Sequence, residues 1–104
     1  MPELEVFHAV FPEYLRDRIV DSLLAEESLS GFSLVVIDGH SRNNSQFDRL
    51  EQVVGYRRMI RLEILVTEQE KQRVINILKQ GNTHTKDSLG IRYYVTPVLE
   101  SGHL

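Results

Sequence analysis

A chain of 104 residues, 41% of them hydrophobic, is long enough for one buried core and reads as a single domain over residues 1–104. Twelve basic against fifteen acidic residues give a net charge of -3 with both signs interspersed, so no uncompensated Lys/Arg patch argues for nucleic acid as a partner. The absence of cysteine excludes disulfides, thiolate zinc sites and cysteine nucleophiles. No stretch approaches the roughly 20 apolar residues that cross a bilayer. The opening Met-Pro-Glu-Leu-Glu lacks the basic and apolar regions of a signal peptide, so the expectation is a cytoplasmic protein with no membrane insertion.

Leu4, Val6, His8 and Val10 alternate with Glu5, Phe7 and Ala9, the period of a strand with at least one buried face. Pro12 stops that strand and suits the first position of a helix. From Glu13 to Glu27, Leu15, Ile19, Val20, Leu23 and Leu24 recur at helical spacing, with Arg16, Asp17, Arg18, Asp21 and Glu26 on the wet side. Gly31 is the expected left-handed cap. Phe32–Ile37 is a short β-branched run, expected to form a strand buried on both faces.

The polar segment Asp38–Arg58 follows. It is too long for a tight hairpin, carries the turn-formers Gly39, Asn43 and Asn44 near its start, and spaces Phe47, Leu50, Val53 and Val54 as a short helical turn would. Connections of this length in compact domains are more often functional than mere links, so this one reads as what the domain displays to its partners. Met59–Val66 then alternates cleanly. Ile60, Leu62, Ile64 and Val66 face the helices; Met59, Arg61, Glu63 and Leu65 face away. Thr67-Glu-Gln-Glu70 is a capping box opening a helix that carries Val74, Ile75, Ile77 and Leu78 and ends near Gly81. Asn82–Gly90 is a second polar loop with His84, Lys86 and Asp87. Ile91–Leu99 is the last strand, with Pro97 at a tolerant end.

The order strand, helix, strand, strand, helix, strand predicts an α+β, ferredoxin-like βαββαβ fold: a four-stranded antiparallel sheet with two helices on one face. Leu4 or Phe7, Val35 or Val36, Leu65, Tyr93 and Tyr94 make the opposite face too apolar for water, which points to sheet-to-sheet association, with a homotrimer as the expectation.

These residues resemble a known family. Met-Ile-Arg-Leu-Glu-Ile-Leu-Val (Met59–Val66) before a capped helix is similar to the Lys-x-Glu-Ile strand of PII (GlnB-like) signalling proteins. Tyr-Val-Thr-Pro-Val-Leu-Glu (Tyr94–Glu100) resembles their strand ending in Pro-Val-Glu. Residues 38–58 lie where PII proteins carry the T-loop that plugs or releases a target. Leu50–Gly55, then Arg58, Arg61 and Glu63, and the tail Val95–Gly102 resemble more closely a small uncharacterised PII-like family whose members often occur beside heavy-metal efflux systems. The resemblance implies adenine nucleotides bound in clefts between trimer subunits. It places Gly39 and His40 at the T-loop base, Arg58, Arg61 and Glu63 near the effector, and Lys86 and Gly90 in the second loop. Residues Asn82–Gly90 lack the PII Gly-Asp-Gly-Lys pattern, and Tyr56 lies at the far end of the loop from the tyrosine modified in some PII proteins. Both weigh against PII-type ATP binding, and the PII arginine segment after the last strand is expected to be missing.

The arginines Arg57, Arg58 and Arg61, with Arg42 and Arg49, suit either an oxyanion or an acidic partner, or else salt bridges to Asp48, Glu51 and Glu63. Arg42, Asn43, Phe47, Arg49, Glu51, Tyr56 and Arg57 are the candidate partner contacts. Of the histidines, His40 and His103 are the candidate metal ligands, gathered by subunit symmetry, while His8 reads as a strand residue with a satisfied ring. Glu51 and Glu63 lack a nucleophile or oxyanion hole beside them and read as solvated or ion-paired. The expected function is a non-enzymatic PII-like regulator. It would bind an adenine nucleotide or a divalent or heavy-metal ion between subunits and dock on a protein target such as a membrane transporter. The alternatives are a CutA-type metal-binding protein and a small ferredoxin-fold enzyme.

Overall fold

The computed structural model describes residues 3–40, 57–83 and 90–104. Strand β1 (Glu5–Pro12) runs through a 3-10 turn (Glu13–Leu15) into α1 (Arg16–Ala25); β2 (Phe32–Gly39) and β3 (Arg57–Val66) follow, then α2 (Glu68–Asn82) and β4 (Arg92–Pro97). The four strands form one antiparallel sheet in the order β2-β3-β1-β4. This is the ferredoxin-like arrangement expected from element order.

Directly opposed residues share a face of a sheet, so the register sorts the side chains. Phe32, Ile64 and Phe7 form one row on the helix side; Leu34, Leu62, Ala9 and Tyr93 form the next; Val36, Ile60 and Phe11 form a third. Onto these rows pack Leu15 from the 3-10 turn, Ile19 and Leu23 from α1 and Val74 and Leu78 from α2, closing a core in which almost every member is out of water. Each such side chain contributes roughly 1.5–3 kcal/mol on burial. Gly81 is the close-contact point between the helices: a Cβ there would lie 3.2 Å from Ile19 Cγ1.

The capping box forms as expected. The Thr67 amide donates to Glu70 Oε1 at 2.8 Å and the Glu70 amide donates to Thr67 Oγ1 at 3.4 Å. The other end of that helix runs one residue past Gly81, to Asn82. Pro12 is the last residue of β1 and caps the 3-10 turn instead of starting a helix, because its backbone stays extended at φ -60, ψ 144.

Several expectations are corrected. Gly31 is not a left-handed cap, since Gly90 alone among the described residues has positive φ. The chain leaves α1 instead at Glu26, and a turn stitched by Leu29 N–H to the Glu26 carbonyl carries it onward. Ser30 Oγ then donates to the Leu65 carbonyl at 3.0 Å. Leu24 is 66% exposed, because Leu15, Ile19 and Leu23, four residues apart, already fill the narrow stripe that meets the sheet. Strand β2 is not buried on both faces: it is an edge strand with Val35 and Val36 each 48% exposed. Of the residues expected on the open face, Tyr93 lies on the helix side instead, stacked on Phe7 at 5.2 Å, and the either-or choices resolve against Phe7 and Val36, which also face the helices. The open face carries Val6, Val10, Val35, Leu65 and Tyr94 together with His8, Arg61, Glu63 and Arg92.

Candidate functional site

The long connection starts from a ribbon, not from a strand end at residue 38. Asp38 pairs with Arg58 and Gly39 with Arg57, so the ladder carries both ends of the connection to adjacent positions. Gly39 makes that pairing feasible beside a buried methionine: a Cβ there would stand 2.7 Å from Met59 Cγ. Arg58 lies on the helix side of the ribbon, where its Nε meets Glu13 Oε2 at 3.4 Å. Both side chains are well exposed, so this pair contributes about 1 kcal/mol at most. Of the acidic neighbours expected from the sequence, Asp48 and Glu51 lie outside the described residues.

The second loop leaves α2 and re-enters the sheet at Gly90. Its φ of +64 favours glycine, and the Asn82 Oδ1 that would lie 3.0 Å from a Cβ accepts instead from the Ile91 amide at 3.1 Å. Arg92 pairs with Val10, and Val10 pairs with Arg61, so Gly90 stands at the same end of the sheet as Gly39 and Arg57. The two loops nevertheless leave opposite edges, β2 and β4, with β3 and β1 between them. At about 4.8 Å per strand that is a separation of roughly 14 Å.

The candidate effector residues are therefore distributed. Gly39, His40 and Arg58 stand at the base of the long connection, beside the candidate partner contact Arg57. Arg61 and Glu63 lie on the open face in mid-strand, and Gly90 sits at the far edge. His40 and His103 follow opposite ends of the sheet, one after β2 and the other beyond Pro97, which pairs with Glu5. Among the described residues no three His, Asp or Glu side chains form a metal-binding group. Arg42, Asn43, Phe47, Arg49, Glu51, Tyr56 and Lys86 lie outside the described residues, as do His84, Asp87 and the helical turn expected from Phe47 to Val54.

The His8 ring is not satisfied in the way the sequence suggested. It stacks on Tyr94 with centroids 4.4 Å apart, its Nε2 is 3.5 Å from Thr96 Oγ1, and its Nδ1 is buried with no partner among the described residues. The signal in the sequence is the alternation that puts a histidine among Val6 and Val10 on one face.

Elsewhere, a surface depression of about 610 Å³ lies between the start of β1 and the N-terminus of α2, lined by Glu3, Glu5, Thr67, Glu68 and Gln69. Glu3, Glu5 and Glu68 give it an acidic lining, two of whose carboxylates share one cation: Lys71 Nζ donates to Glu5 at 2.8 Å and to Glu68 at 2.7 Å. The hydrogen bond from Lys71 holds the Glu68 carboxyl below its ordinary 4.5, and Glu5 followed by Glu68 pushes the Lys71 ammonium well above its ordinary 10.5. The depressed carboxylate stabilises the fold above pH 4.5 and that stabilisation fades as acid titrates it. The raised ammonium stabilises the fold below pH 10.5 and that stabilisation fades as base removes its proton. Lys71→Met is expected to lower the melting temperature across the neutral range, with the deficit shrinking toward pH 3 as the carboxylate protonates and only beginning to shrink between pH 10.5 and pH 12, which thermal melts over that span will read.

The chain aligns along its whole length with the crystal structure of a DUF3240 family protein from Shewanella baltica OS155, at 28% identity and TM-score 0.77, covering 99% of that chain. It also superimposes on Arabidopsis thaliana PII bound to citrate with a TM-score of 0.69 at 16% identity, over 93% of this chain and 78% of that one, a likeness of fold. No curated protein sequence matches it. The family model described as protein of unknown function (DUF3240) matches residues 2–104, and the chain therefore belongs to the DUF3240 family.

Proposed function

We propose that this protein is a PII-like regulator that works as a homotrimer, takes a small effector between subunits, and docks on a target protein through residues 38–58. The observation that carries this reading is the placement of the two loops. Both leave the same end of the sheet, but from opposite edges, so a single chain does not bring Gly39 and His40 to Gly90. A site built from both needs the β2 edge of one copy beside the β4 edge of the next, a head-to-tail contact that closes into a ring. The PII-like fold supports the same arrangement. An effector held there would touch the base of the long connection directly, and ordering of a loop by a ligand is an established switching mode.

Sedimentation velocity on the purified protein is expected to show three times the mass of the 12.1 kDa chain. Calorimetric titration with ATP, ADP, cyclic nucleotides and divalent metals, one at a time, is expected to find one saturable effector with a stoichiometry near one per chain. A monomer at all concentrations refutes the shared site. A trimer saturated by copper or zinc alone favours the CutA-type reading over the nucleotide one.

A further inference from the structure

On the helix side of the sheet, a groove of about 180 Å³ runs between α2 and the edge strand β4. Ile75, Leu78, Ile91 and Tyr93 supply its apolar walls, with Lys79 and Asn82 beside them. No carboxylate stands among these lining residues. The Tyr93 ring lies nearly parallel to that of the fully buried Phe7, the planes 11° apart, yet the residue is 53% exposed. One ring face is therefore spent on the core, and the other is left to the groove. At the loop end, Asn82 Oδ1 accepts from the Ile91 amide at 3.1 Å, so two lining residues also close the junction to the second loop.

Size, ring and charge together define an occupant. An apolar cavity of about 150 Å³ holds benzene, whereas sites for drug-sized ligands run from about 300 to 1,000 Å³. The groove therefore admits one six-membered ring with a short substituent and is too small for a nucleotide. The free face of an aromatic side chain already stacked on another favours a further offset ring. Lys79 is exposed in the last turn of α2, and among the described residues no ion pair engages it. Its full positive charge exceeds the roughly half negative charge of the helix C-terminus beside it, so the local field favours an anion.

We infer that this groove is a binding site for a small aromatic monocarboxylate, its ring laid on Tyr93 and its carboxylate at Lys79. Burial of the ring against Ile75, Leu78 and Ile91 supplies the affinity, and the single cation fixes which end points outward. The site lies within one chain and is distinct from the effector site proposed between subunits, so neither depends on the other.

The test is a titration of the full-length, nitrogen-15-labelled protein with phenylacetate, followed through the backbone amides of Ile91, Asn82 and Tyr93. Saturable shifts are expected there and not along β2. Phenylacetamide, the neutral counterpart, should bind up to about fivefold more weakly, the upper range for an exposed ion pair. Cyclohexylacetate keeps the charge and lacks the π face, and should bind weaker by roughly threefold or more. Lys79→Gln is expected to abolish the preference for phenylacetate over its amide, and Tyr93→Leu the preference for it over cyclohexylacetate. Thermal melts check that each variant folds; if Tyr93→Leu does not, the comparison of the two acids on the parent protein still reads the stacking. No saturable shift at phenylacetate concentrations up to about 10 mM overturns the site. Equal binding of all three compounds overturns the assigned chemistry. Groove amides that respond to protein concentration and not to phenylacetate overturn the small-molecule occupant in favour of another copy of the chain.

Discussion

Phe7→Ala is expected to bring the domain close to unfolding. Phe7 is fully buried, lies opposite Ile64 in the row that Phe32 completes, and stacks on Tyr93, so truncation leaves a void bounded by β1, β3, β4 and the helices above them. Large-to-small changes of this kind cost about 3–5 kcal/mol, against a total stability of roughly 5–15 kcal/mol for a domain. At about 4–8 °C per kcal/mol for a chain of this size, the melting temperature should fall by some 15 °C or more. Phe7→Leu, which keeps most of the volume, should cost less than half as much. The control is Val35→Ala, on an exposed part of the edge strand, where the loss should stay below about 1 kcal/mol. Urea titrations of the three variants read these values directly. A Phe7→Ala protein as stable as the Val35→Ala protein would mean that Phe7 does not face the helices and that the register of β1 is wrong.

That register marks the limit of what was legible in the amino-acid order. Where polar and apolar residues alternate, the face could be read: Arg61 and Glu63 against Ile60, Leu62 and Ile64 fall on the sides expected, and Val6, His8 and Val10 separate from Phe7 and Ala9 as expected, although which of these two sets meets the helices was left open. The capping box was legible for the same reason, since both partners lie within four residues. Where neighbours are alike the signal disappears. Val35-Val36 and Tyr93-Tyr94 each offer two equivalent choices, and only pairing with β3 and β1 decides them: Tyr93 falls opposite Ala9 on the helix side and Tyr94 opposite His8 on the open side. Gly31 and Gly90 are equally glycine in sequence; a long-range contact, with Asn82, distinguishes the second.

The candidate site was less legible than the fold, because its geometry depends on strand order. Adjacent arginines suggested one basic cluster at the end of the long connection. In the sheet, Arg58 turns to the helix side and pairs with Glu13, while Arg61 faces the open side. The ends of the connection were also misjudged by composition. Asp38, Gly39, Arg57 and Arg58 look like loop residues, yet cross-strand pairing, which routinely overrides local β-propensity, draws all four into the ladder.

That extended ladder leads to the second large effect. Because Gly39 and Arg57 are already paired, the chain between them can be exchanged for a two-residue Asn-Gly turn, whose backbone twist matches a right-twisted hairpin. Excising residues 40–56 in this way is expected to raise stability. Each halving of loop length returns about 0.6 kcal/mol of closure entropy, so replacing the long connection by a two-residue turn should return roughly 1–2 kcal/mol. The corresponding rise in melting temperature is on the order of 5–15 °C for a domain of this size. The β2 and β4 edges proposed to meet between copies belong to strands that the excision leaves intact, so the mass in solution should remain that of the parent assembly. A displayed arm can be removed without loss of the domain that displays it; a structural segment cannot. Unfolding of the excised protein, or collapse of its assembly to monomers, would therefore show that residues 40–56 serve the fold itself and would remove the physical basis for reading them as the element that engages a target.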